Sequence, residues 1–256
     1  MNSQDPVGFE AHGDVAVVTM QHEQSRNALS PSMLDRLGEA AAQAASQGMK
    51  ALILASAGRV FCSGGDLTGV NEALDGDIDT EIGAMVDRLH RVVRSLRTLP
   101  MPTVAAVGGP AVGAGVALAM ATDVRIISGS ATFTTGYLAV GASPDGGASY
   151  HLARSLGEPR AVSSFLLNRR FTADEIVSVG LADQLVEDSE LGLAAVELGS
   201  RLARIPLCAV QAVRNLVFSA STHSLDVHLD AEREEFLRIA HTDGFRSGIA
   251  PFARAR

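Results

Sequence analysis

The sequence predicts an α/β protein with a parallel β-sheet and an α-helical region at its C-terminal end. The opening of the chain alternates strand, helix and strand patterns, which is the order of a parallel βαβ unit. A glycine-rich turn at 108–115 then joins a buried strand pattern to a helix pattern. From about residue 200 onward the pattern is helical only, so we expect a core over residues 1–199 and a helical region over residues 200–256.

The first strand–helix–strand unit can be bounded from its residues. Residues 14–20 contain an apolar run that predicts a largely buried strand. Ser30 followed by Pro31 is typical of a helix start, because serine is a favoured N-cap and proline suits the first helical position. The apolar spacing that follows predicts a helix ending near Gly48. The run Ala-Leu-Ile-Leu-Ala within residues 50–56 predicts the second buried strand.

Charge patterning organises the middle of the chain. Arginine recurs every three residues at positions 88, 91, 94 and 97, with leucine and valine between, which predicts an amphipathic helix ending near Pro100. The stretch before it, from Asp66 to Asp87, carries acidic residues and no basic ones. We expect that stretch to be a solvated, mobile segment.

The remaining elements follow from short apolar runs and capping residues. Thr172 and Glu175 form a capping box at the start of a short helix. The C-terminal helical pattern is interrupted at Pro206 and Gly244. Strands are predicted at 103–107, 123–128 and within 180–186, and helices from 116, over 149–156, over 158–167 and over 172–177.

Composition excludes several classes of protein. The chain has 256 residues, 46% hydrophobic and 20% charged, which is typical of a folded globular protein. A net charge of −8 disfavours a nucleic-acid partner. No charge-free apolar run reaches the ~18 residues of a membrane span, and the N-terminus lacks the pattern of a signal peptide. Cys62 and Cys208 show no metal-site spacing, so we expect no bound metal and a reducing, cytoplasmic location.

Two glycine-rich segments present backbone N–H groups. Residues 61–67 contain Gly64 and Gly65, whose N–H groups are sterically open to a ligand. Residues 108–115 match neither the Rossmann fingerprint nor the P-loop, and instead place backbone donors at a helix start. Two such donor loops could polarise one carbonyl group from two sides, as an oxyanion hole does. A tight turn capped by Asp66 is the alternative explanation for the first segment.

A third segment carries a carboxylate. Asp145 follows a run of small and apolar residues that begins at Tyr137. Poor solvation there would raise the pKa of its carboxyl group and make it a competent proton shuttle. The alternative is that Asp145 caps the helix that follows Gly147, and the spacing alone leaves both explanations open.

These motifs together resemble the crotonase superfamily, also called the enoyl-CoA hydratase/isomerase family. The resemblance implies a spiral of ββα units with a C-terminal helical trimerisation region, a homotrimer or dimer of trimers, and acyl-CoA thioesters as substrates. The matching segments are Arg26–Ser30, Phe61–Leu67, Pro102–Asp123, Phe133–Gly147 and Phe171–Asp183, with a weaker echo at Phe245–Phe252.

The resemblance also assigns roles to residues. The N–H groups of Gly65 and Ala114 would stabilise a thioester enolate as the oxyanion hole. Coenzyme A would be part of the substrate and not a permanently bound cofactor. It would lie along Arg26, Ala28, Leu29, Ser63, Gly64, Gly65, Asp66 and Leu67, with Arg26 and Arg59 near its phosphates and Phe252, Arg254 and Arg256 near the coenzyme A of a neighbouring subunit.

This sequence departs from the hydratase pattern at both acid–base positions. The two glutamates of typical hydratases fall on Ala117 and Tyr137. Alanine cannot move a proton, and tyrosine, with a reference pKa near ~10, is a poor base at neutral pH. A standard hydratase is therefore disfavoured. Asp145 matches instead the aspartate of a set of isomerases in the family, which removes a proton and returns it elsewhere, and Tyr137 is a candidate hydroxyl donor to the substrate.

Two alternatives stay open. Asp145 also matches the nucleophile of the 4-chlorobenzoyl-CoA dehalogenases, and His90 matches the histidine that activates water there, although Tyr137 replaces their substrate-packing tryptophan. His90 could equally be a solvated residue on a polar helix face. The second alternative is a non-catalytic acyl-CoA-binding homologue. We favour the isomerase, because the residues around Asp145 fit that set well.

Overall fold

The computed structural model describes residues 5–253 and contains two β-sheets. The main sheet has six strands in the order β1-β2-β3-β4-β6-β9, and a smaller sheet has the order β5-β7-β8. The strands are β1 (Val7–His12), β2 (Val15–Met20), β3 (Ala51–Ser56), β4 (Thr103–Val107), β5 (Pro110–Val112), β6 (Val124–Ser128), β7 (Thr132–Thr134), β8 (Arg170–Phe171) and β9 (Gln184–Val186).

The main sheet is parallel apart from its first strand, as the strand–helix–strand pattern predicted. β2, β3, β4, β6 and β9 pair in parallel, and β4 is buried along its whole length. The sequence pattern missed β1, which pairs antiparallel with β2 around a turn at Gly13. Gly13 has a φ of 60°, a conformation that glycine adopts without strain.

The described residues form eleven α-helices. They are α1 (Pro31–Ser46), α2 (Leu67–Ala73), α3 (Ile78–Thr98), α4 (Ala114–Met120), α5 (Ala148–Leu156), α6 (Glu158–Leu166), α7 (Ala173–Ser178), α8 (Leu191–Leu202), α9 (Leu207–Ser219), α10 (Leu225–Ala240) and α11 (Asp243–Ala253). The predicted caps of α1 and α7 are confirmed. Ser30 Oγ accepts a hydrogen bond from Met33 N at 3.2 Å, and Thr172 and Glu175 form the full capping box.

Two helices that the charge pattern did not predict occupy most of residues 66–87, and the mobility expected of this segment stays a prediction. Asp66 caps α2 and Asp77 caps α3, so α3 begins well before the arginine repeat that predicted it. Carboxylates accept hydrogen bonds from the free N–H groups at a helix start and interact favourably with its dipole, which explains why an acidic stretch starts two helices. The acidic side chains after Asp66 are exposed to solvent, as the charge pattern predicted, whereas Asp66 itself is half-buried.

A buried arginine on α9 connects the helical C-terminal region to the core. Arg214 on α9 donates to the carbonyl groups of Leu99 and Met101 and pairs with Asp123, with Nε to Oδ1 at 2.8 Å. Pro206 precedes α9 as predicted, whereas Gly244 lies inside α11 and does not interrupt it. The helical segments are instead separated before α10, whose N-cap is Ser224, and again between α10 and α11. The predicted domain boundary at residue 199 stays a prediction.

No described helix combines the length and the apolar composition that crossing a membrane requires.

Candidate active site

The two loops that the family resemblance assigns to coenzyme A, residues 26–29 and 63–67, lie side by side. Leu29 N donates to Gly64 O at 2.8 Å, and Ser63 N donates to Arg26 O at 3.1 Å. These bonds join residues 26–29 to residues 63–67 as a short parallel bridge. The structure therefore brings together the two predicted coenzyme A segments, which are separate in the sequence.

Asn27 holds this pair of loops in place, a role that the sequence did not reveal. Its side chain is fully buried, and its Oδ1 accepts from His22 N at 2.9 Å. Its Nδ2 donates to Val60 O at 2.9 Å and to Ala57 O at 3.2 Å. Asn27 also has a φ of 54°, which asparagine tolerates better than most residues. The only signal for it was its place in the Arg26–Ser30 motif.

Replacing Asn27 by alanine is expected to lower the free energy of unfolding by about 2–4 kcal/mol, because buried backbone groups lose their partners. It should also weaken acyl-CoA binding, since the loop of Arg26 loses its tie to the loop of Arg59. Chemical denaturation and a thioester titration measure the two effects. Asn71→Ala, at an exposed position on α2, is the matched control. Equal stabilities of the two variants would contradict this role of Asn27.

Gly64 and Ala114 bring two backbone donors to the same place. Gly64 has a φ of 97°, and a Cβ atom there would lie 2.8 Å from Val112 O and 3.8 Å from Ala114 N. Only glycine allows this approach, which sets the loop of Gly65 against the first residue of α4. Within residues 5–253, the N–H groups of Gly65 and Ala114 meet no hydrogen-bond acceptor. They are therefore free to bind an oxygen atom of a ligand.

Asp145 supplies a carboxyl group that is half-buried and incompletely paired. Its Oδ1 is enclosed and has no hydrogen-bond partner among the described residues. Burial raises the pKa of Asp145 above its ordinary value, while the Tyr137 hydroxyl and the charge of His90 act in the opposite direction. The side chain does not cap α5, whose N-cap is Gly147, so the capping explanation is wrong. A poorly solvated carboxylate with a free oxygen is suited to accept a proton.

The raised pKa of Asp145 predicts a pH-dependent effect on stability. A carboxyl whose pKa is higher in the folded chain than its ordinary 3.8 contributes stability at low pH and loses it as the pH rises through the raised value. Asp145→Asn should therefore raise the melting temperature at neutral pH and have little effect below the ordinary pKa. Melting temperatures of the wild type and the variant, at neutral pH and at a pH below the ordinary carboxyl pKa, measure this effect. A variant that is less stable than the wild type at neutral pH would contradict the burial argument.

Tyr137 connects the carboxylate loop to the donor turn. It begins a short 3₁₀ helix, Tyr137–Val140, and its side chain is buried. Its hydroxyl donates to the backbone carbonyl of Asp145 at 3.2 Å. A Cβ atom on Gly113, the residue before Ala114, would lie 3.8 Å from the Tyr137 ring. Burial raises the pKa of Tyr137, so the phenol stays protonated and is no base at neutral pH.

His90 lies on α3, the helix that packs against the loop of Asp145. The His90 side chain is half-buried. A Cβ atom on Gly146, the residue after Asp145, would lie 3.0 Å from Leu89 Cδ2, so α3 packs against the loop of Asp145 at the residue before His90. His90 is therefore not on a fully solvated face, and the residue before it contacts the loop of Asp145.

Ala117 leaves the site without a second carboxylate on α4. Its side chain is fully buried in a cluster with Tyr137 and Ala148. A Cβ atom on Gly146 would lie 3.0 Å from Ala117 Cβ, so the neighbouring loop fills the space beside it. No cluster that could hold a metal ion occurs in the described part of the chain.

The remaining predicted contacts lie at the surface. Arg26, Arg59 and Leu67 are exposed near the paired loops, where they are accessible to a ligand. Phe252 on α11 is 82% exposed, and this single chain does not bring it to a site. Arg254 and Arg256 lie outside the described residues.

Known proteins resemble this chain over nearly its whole length. The sequence profile of the family described as enoyl-CoA hydratase/isomerase matches residues 10–256. A 1,2-epoxyphenylacetyl-CoA isomerase of Escherichia coli (strain K12) is 32% identical over 244 residues, covering 94% of this chain and 93% of that protein. A 4-chlorobenzoyl coenzyme A dehalogenase-2 of an Arthrobacter species is 27% identical over 252 residues, covering 98% and 91%.

A solved structure shows the same architecture. The crystal structure of an enoyl-CoA hydratase from Polaromonas sp. JS666 has a TM-score of 0.92 and 30% sequence identity, and covers 98% of this chain and 97% of that one. The match includes the helices at the C-terminal end, so the crotonase-like fold implied by the sequence motifs is confirmed. The chain belongs to the enoyl-CoA hydratase/isomerase family, within the crotonase superfamily.

Proposed function

We propose that the chain is an enoyl-CoA isomerase, which shifts a carbon–carbon double bond along the acyl group of a coenzyme A thioester. The observation that carries the proposal is the single carboxylate of Asp145, whose buried Oδ1 bonds no other described residue, together with two backbone donors that likewise bond none. One base and one oxyanion hole are the groups that such a shift requires.

The reaction follows from these groups. The thioester carbonyl oxygen accepts hydrogen bonds from the N–H groups of Gly65 and Ala114, which makes the adjacent carbon more acidic. Asp145 takes a proton from C2 of a 3-enoyl thioester, and the electron pair moves into the conjugated dienolate, whose charge rests on the bound oxygen. The protonated Asp145 then returns the proton to C4, which leaves the double bond between C2 and C3. No atom is gained or lost overall.

Tyr137 supports this chemistry as a positioning residue. Its hydroxyl donates a hydrogen bond to the Asp145 backbone carbonyl, and its ring packs against the turn at Gly113. Tyr137 therefore fixes the base relative to the proposed oxyanion hole. Hydration needs a second acid–base group to hold and activate water, and Ala117 cannot serve. The site therefore supports proton shuttling within the substrate better than the addition of water.

Product analysis tests the proposal. The enzyme is incubated with 3-enoyl, 2-enoyl, epoxy and halobenzoyl thioesters, and the products are identified by mass spectrometry and NMR. An isomer of unchanged mass from an enoyl thioester supports the isomerase. Hydration of a 2-enoyl thioester would contradict our interpretation of Ala117 and Tyr137. Binding of the thioesters without any turnover would favour a non-catalytic homologue.

A covalent mechanism is the second candidate, and the packing of α3 at Leu89, next to His90, against the loop of Asp145 favours it specifically. The Asp145 carboxylate would attack the ring carbon of a halobenzoyl thioester and displace halide. Water activated by His90 would then hydrolyse the resulting ester at the Asp145 carbonyl and release the hydroxylated product.

Replacing His90 by glutamine discriminates between the two mechanisms. The covalent mechanism predicts that His90→Gln accumulates an adduct on Asp145 under a halobenzoyl thioester, which intact-protein mass spectrometry detects. The isomerase predicts no adduct and retained turnover of an enoyl thioester. We expect the second result, because Asp145 alone can carry both proton transfers.

We further propose that the protein assembles as a trimer or a dimer of trimers. Within the described residues, α10 and α11 bury no side chain, although they carry Leu225, Phe236 and Phe252. A neighbouring subunit would cover such an apolar surface. It would also bring Phe252 to the coenzyme A of another subunit.

A further inference from the structure

A large cavity lies between the C-terminal half of α3 and the helices α5, α9 and α10. Its volume is about 880 Å³. It is distinct from the paired loops that receive coenzyme A. The residues that matter for its chemistry are Arg94, Arg97, Gly147, Tyr150, His151 and Phe218.

The wall of the cavity carries uncompensated positive charge, in a chain whose net charge is −8. Two other arginines on the wall are neutralised, since Arg214 pairs with Asp123 and Arg238 pairs with Glu235. Arg94 and Arg97 form no ion pair with any carboxylate in the described part of the chain. An anionic group is therefore the ligand that this wall would bind most favourably.

Arg97 is held in a fixed position for such a ligand. Its guanidinium stacks on the ring of Phe218, 3.8 Å from the ring centroid. The side chain is half-buried, and burial lowers the pKa of Arg97. A partly desolvated cation that is held by an aromatic ring gains more from a carboxylate than a solvated arginine does.

Part of the cavity wall comes from the segment that follows the proposed base. His90, Arg94 and Arg97 stand four and three residues apart, which places them on one face of α3. At a rise of ~1.5 Å per residue, Arg97 lies roughly 10 Å along the helix from His90. Gly147, two residues after Asp145, lines the other wall, and a Cβ atom on it would lie 3.5 Å from His151 Cδ2.

The far wall contributes neutral groups. Burial and the nearby arginines lower the pKa of His151 to about 4, so its imidazole is uncharged at neutral pH. The rings of Tyr150 and Phe218 supply apolar surface beside the arginines. The cavity thus combines apolar surface with unpaired cationic groups, and a hydrocarbon chain that ends in a carboxylate carries the matching pair of features.

We propose that this cavity receives the far end of the acyl group, and that Arg94 and Arg97 select acyl-CoA substrates whose chain ends in a carboxylate. The inference rests on the proposed function, because that function places the acyl group at Asp145. It goes further by naming the substrate class and the residues that recognise it.

Binding of unreactive thioesters tests the inference without any turnover. Calorimetric titration of the full-length protein compares suberoyl-CoA with octanoyl-CoA, which has the same chain length and no terminal carboxylate. We expect suberoyl-CoA to bind about tenfold more tightly, the effect of one charge-assisted hydrogen bond. Arg97→Gln and Arg94→Gln should each reduce this preference and leave octanoyl-CoA binding unchanged. Arg91→Gln, at an exposed position on α3 outside the cavity wall, should retain it.

The possible outcomes separate the inference from the proposed function. Equal binding of the two thioesters, or an undiminished preference in both cavity variants, would overturn the inference while leaving the isomerase intact. If neither thioester binds, acyl-CoA recognition itself fails and the inference fails with it. Arg94 is exposed, so its replacement does not threaten folding, and it keeps the test decisive if Arg97→Gln is unstable.

Discussion

Replacing Asp145 by asparagine is expected to abolish the double-bond shift, with a loss in kcat of roughly a hundred- to ten-thousandfold. Asparagine has nearly the same shape as aspartate but cannot accept or return a proton. Since the proposed oxyanion donors and the proposed coenzyme A loops lie on other segments, the dissociation constant of an acyl-CoA should change little. Steady-state rates and a calorimetric titration measure the two quantities on the same variant.

A matched control separates loss of chemistry from loss of structure. Ser143→Ala changes an exposed residue of the same loop and should leave kcat unchanged. The expected gain in thermal stability of Asp145→Asn at neutral pH gives independent proof that the variant is folded. Near-normal turnover by a folded Asp145→Asn variant would show that another group moves the proton.

The second large effect is expected from replacing Ala114 by proline. Ala114 is the first residue of α4, where proline is well tolerated because that N–H has no partner within the helix. The substitution therefore removes the donor while preserving the helix. Loss of one oxyanion donor typically lowers kcat by roughly a hundred- to a thousandfold, and we expect a loss of that size.

Ala114→Gly is the control for this substitution. It removes the side chain but keeps the N–H, so it should retain most of the activity if the backbone donor is what matters. Similar activities of the proline and glycine variants would contradict the role of Ala114 in an oxyanion hole. Circular dichroism of both variants checks that the helix content is unchanged.

Much of the fold could be predicted from local sequence signals, because local hydrogen bonds determine those elements. Ser30 and Thr172 cap their helices as predicted, and the buried runs of β3 and β4 pair in parallel. The start of α3 was missed because an acidic stretch is favourable both in solvent and at a helix N-terminus. Asp77 is the N-cap of α3, and a count of charges does not distinguish such a capping residue from a solvated one.

The candidate site was only partly predictable for a different physical reason. Glycine-rich turns and a carboxylate among small residues are visible in the sequence, and the family motifs relate them to one another. The tie from Asn27 to Val60 and the bond from Tyr137 to the Asp145 carbonyl depend on tertiary contacts. The cavity lined by Arg97 is formed by helices that are distant in sequence, so no local pattern indicates it.

Isotope tracing during isomerisation tests whether Asp145 carries one proton from C2 to C4. The wild-type enzyme is given a 3-enoyl thioester labelled with deuterium at C2, in ordinary water, and the product is examined by NMR at low conversion. We expect a 2-enoyl product that carries part of the deuterium at C4, and no such product from Asp145→Asn. A product formed equally by both enzymes, or one that has gained the elements of water, would contradict this role of Asp145.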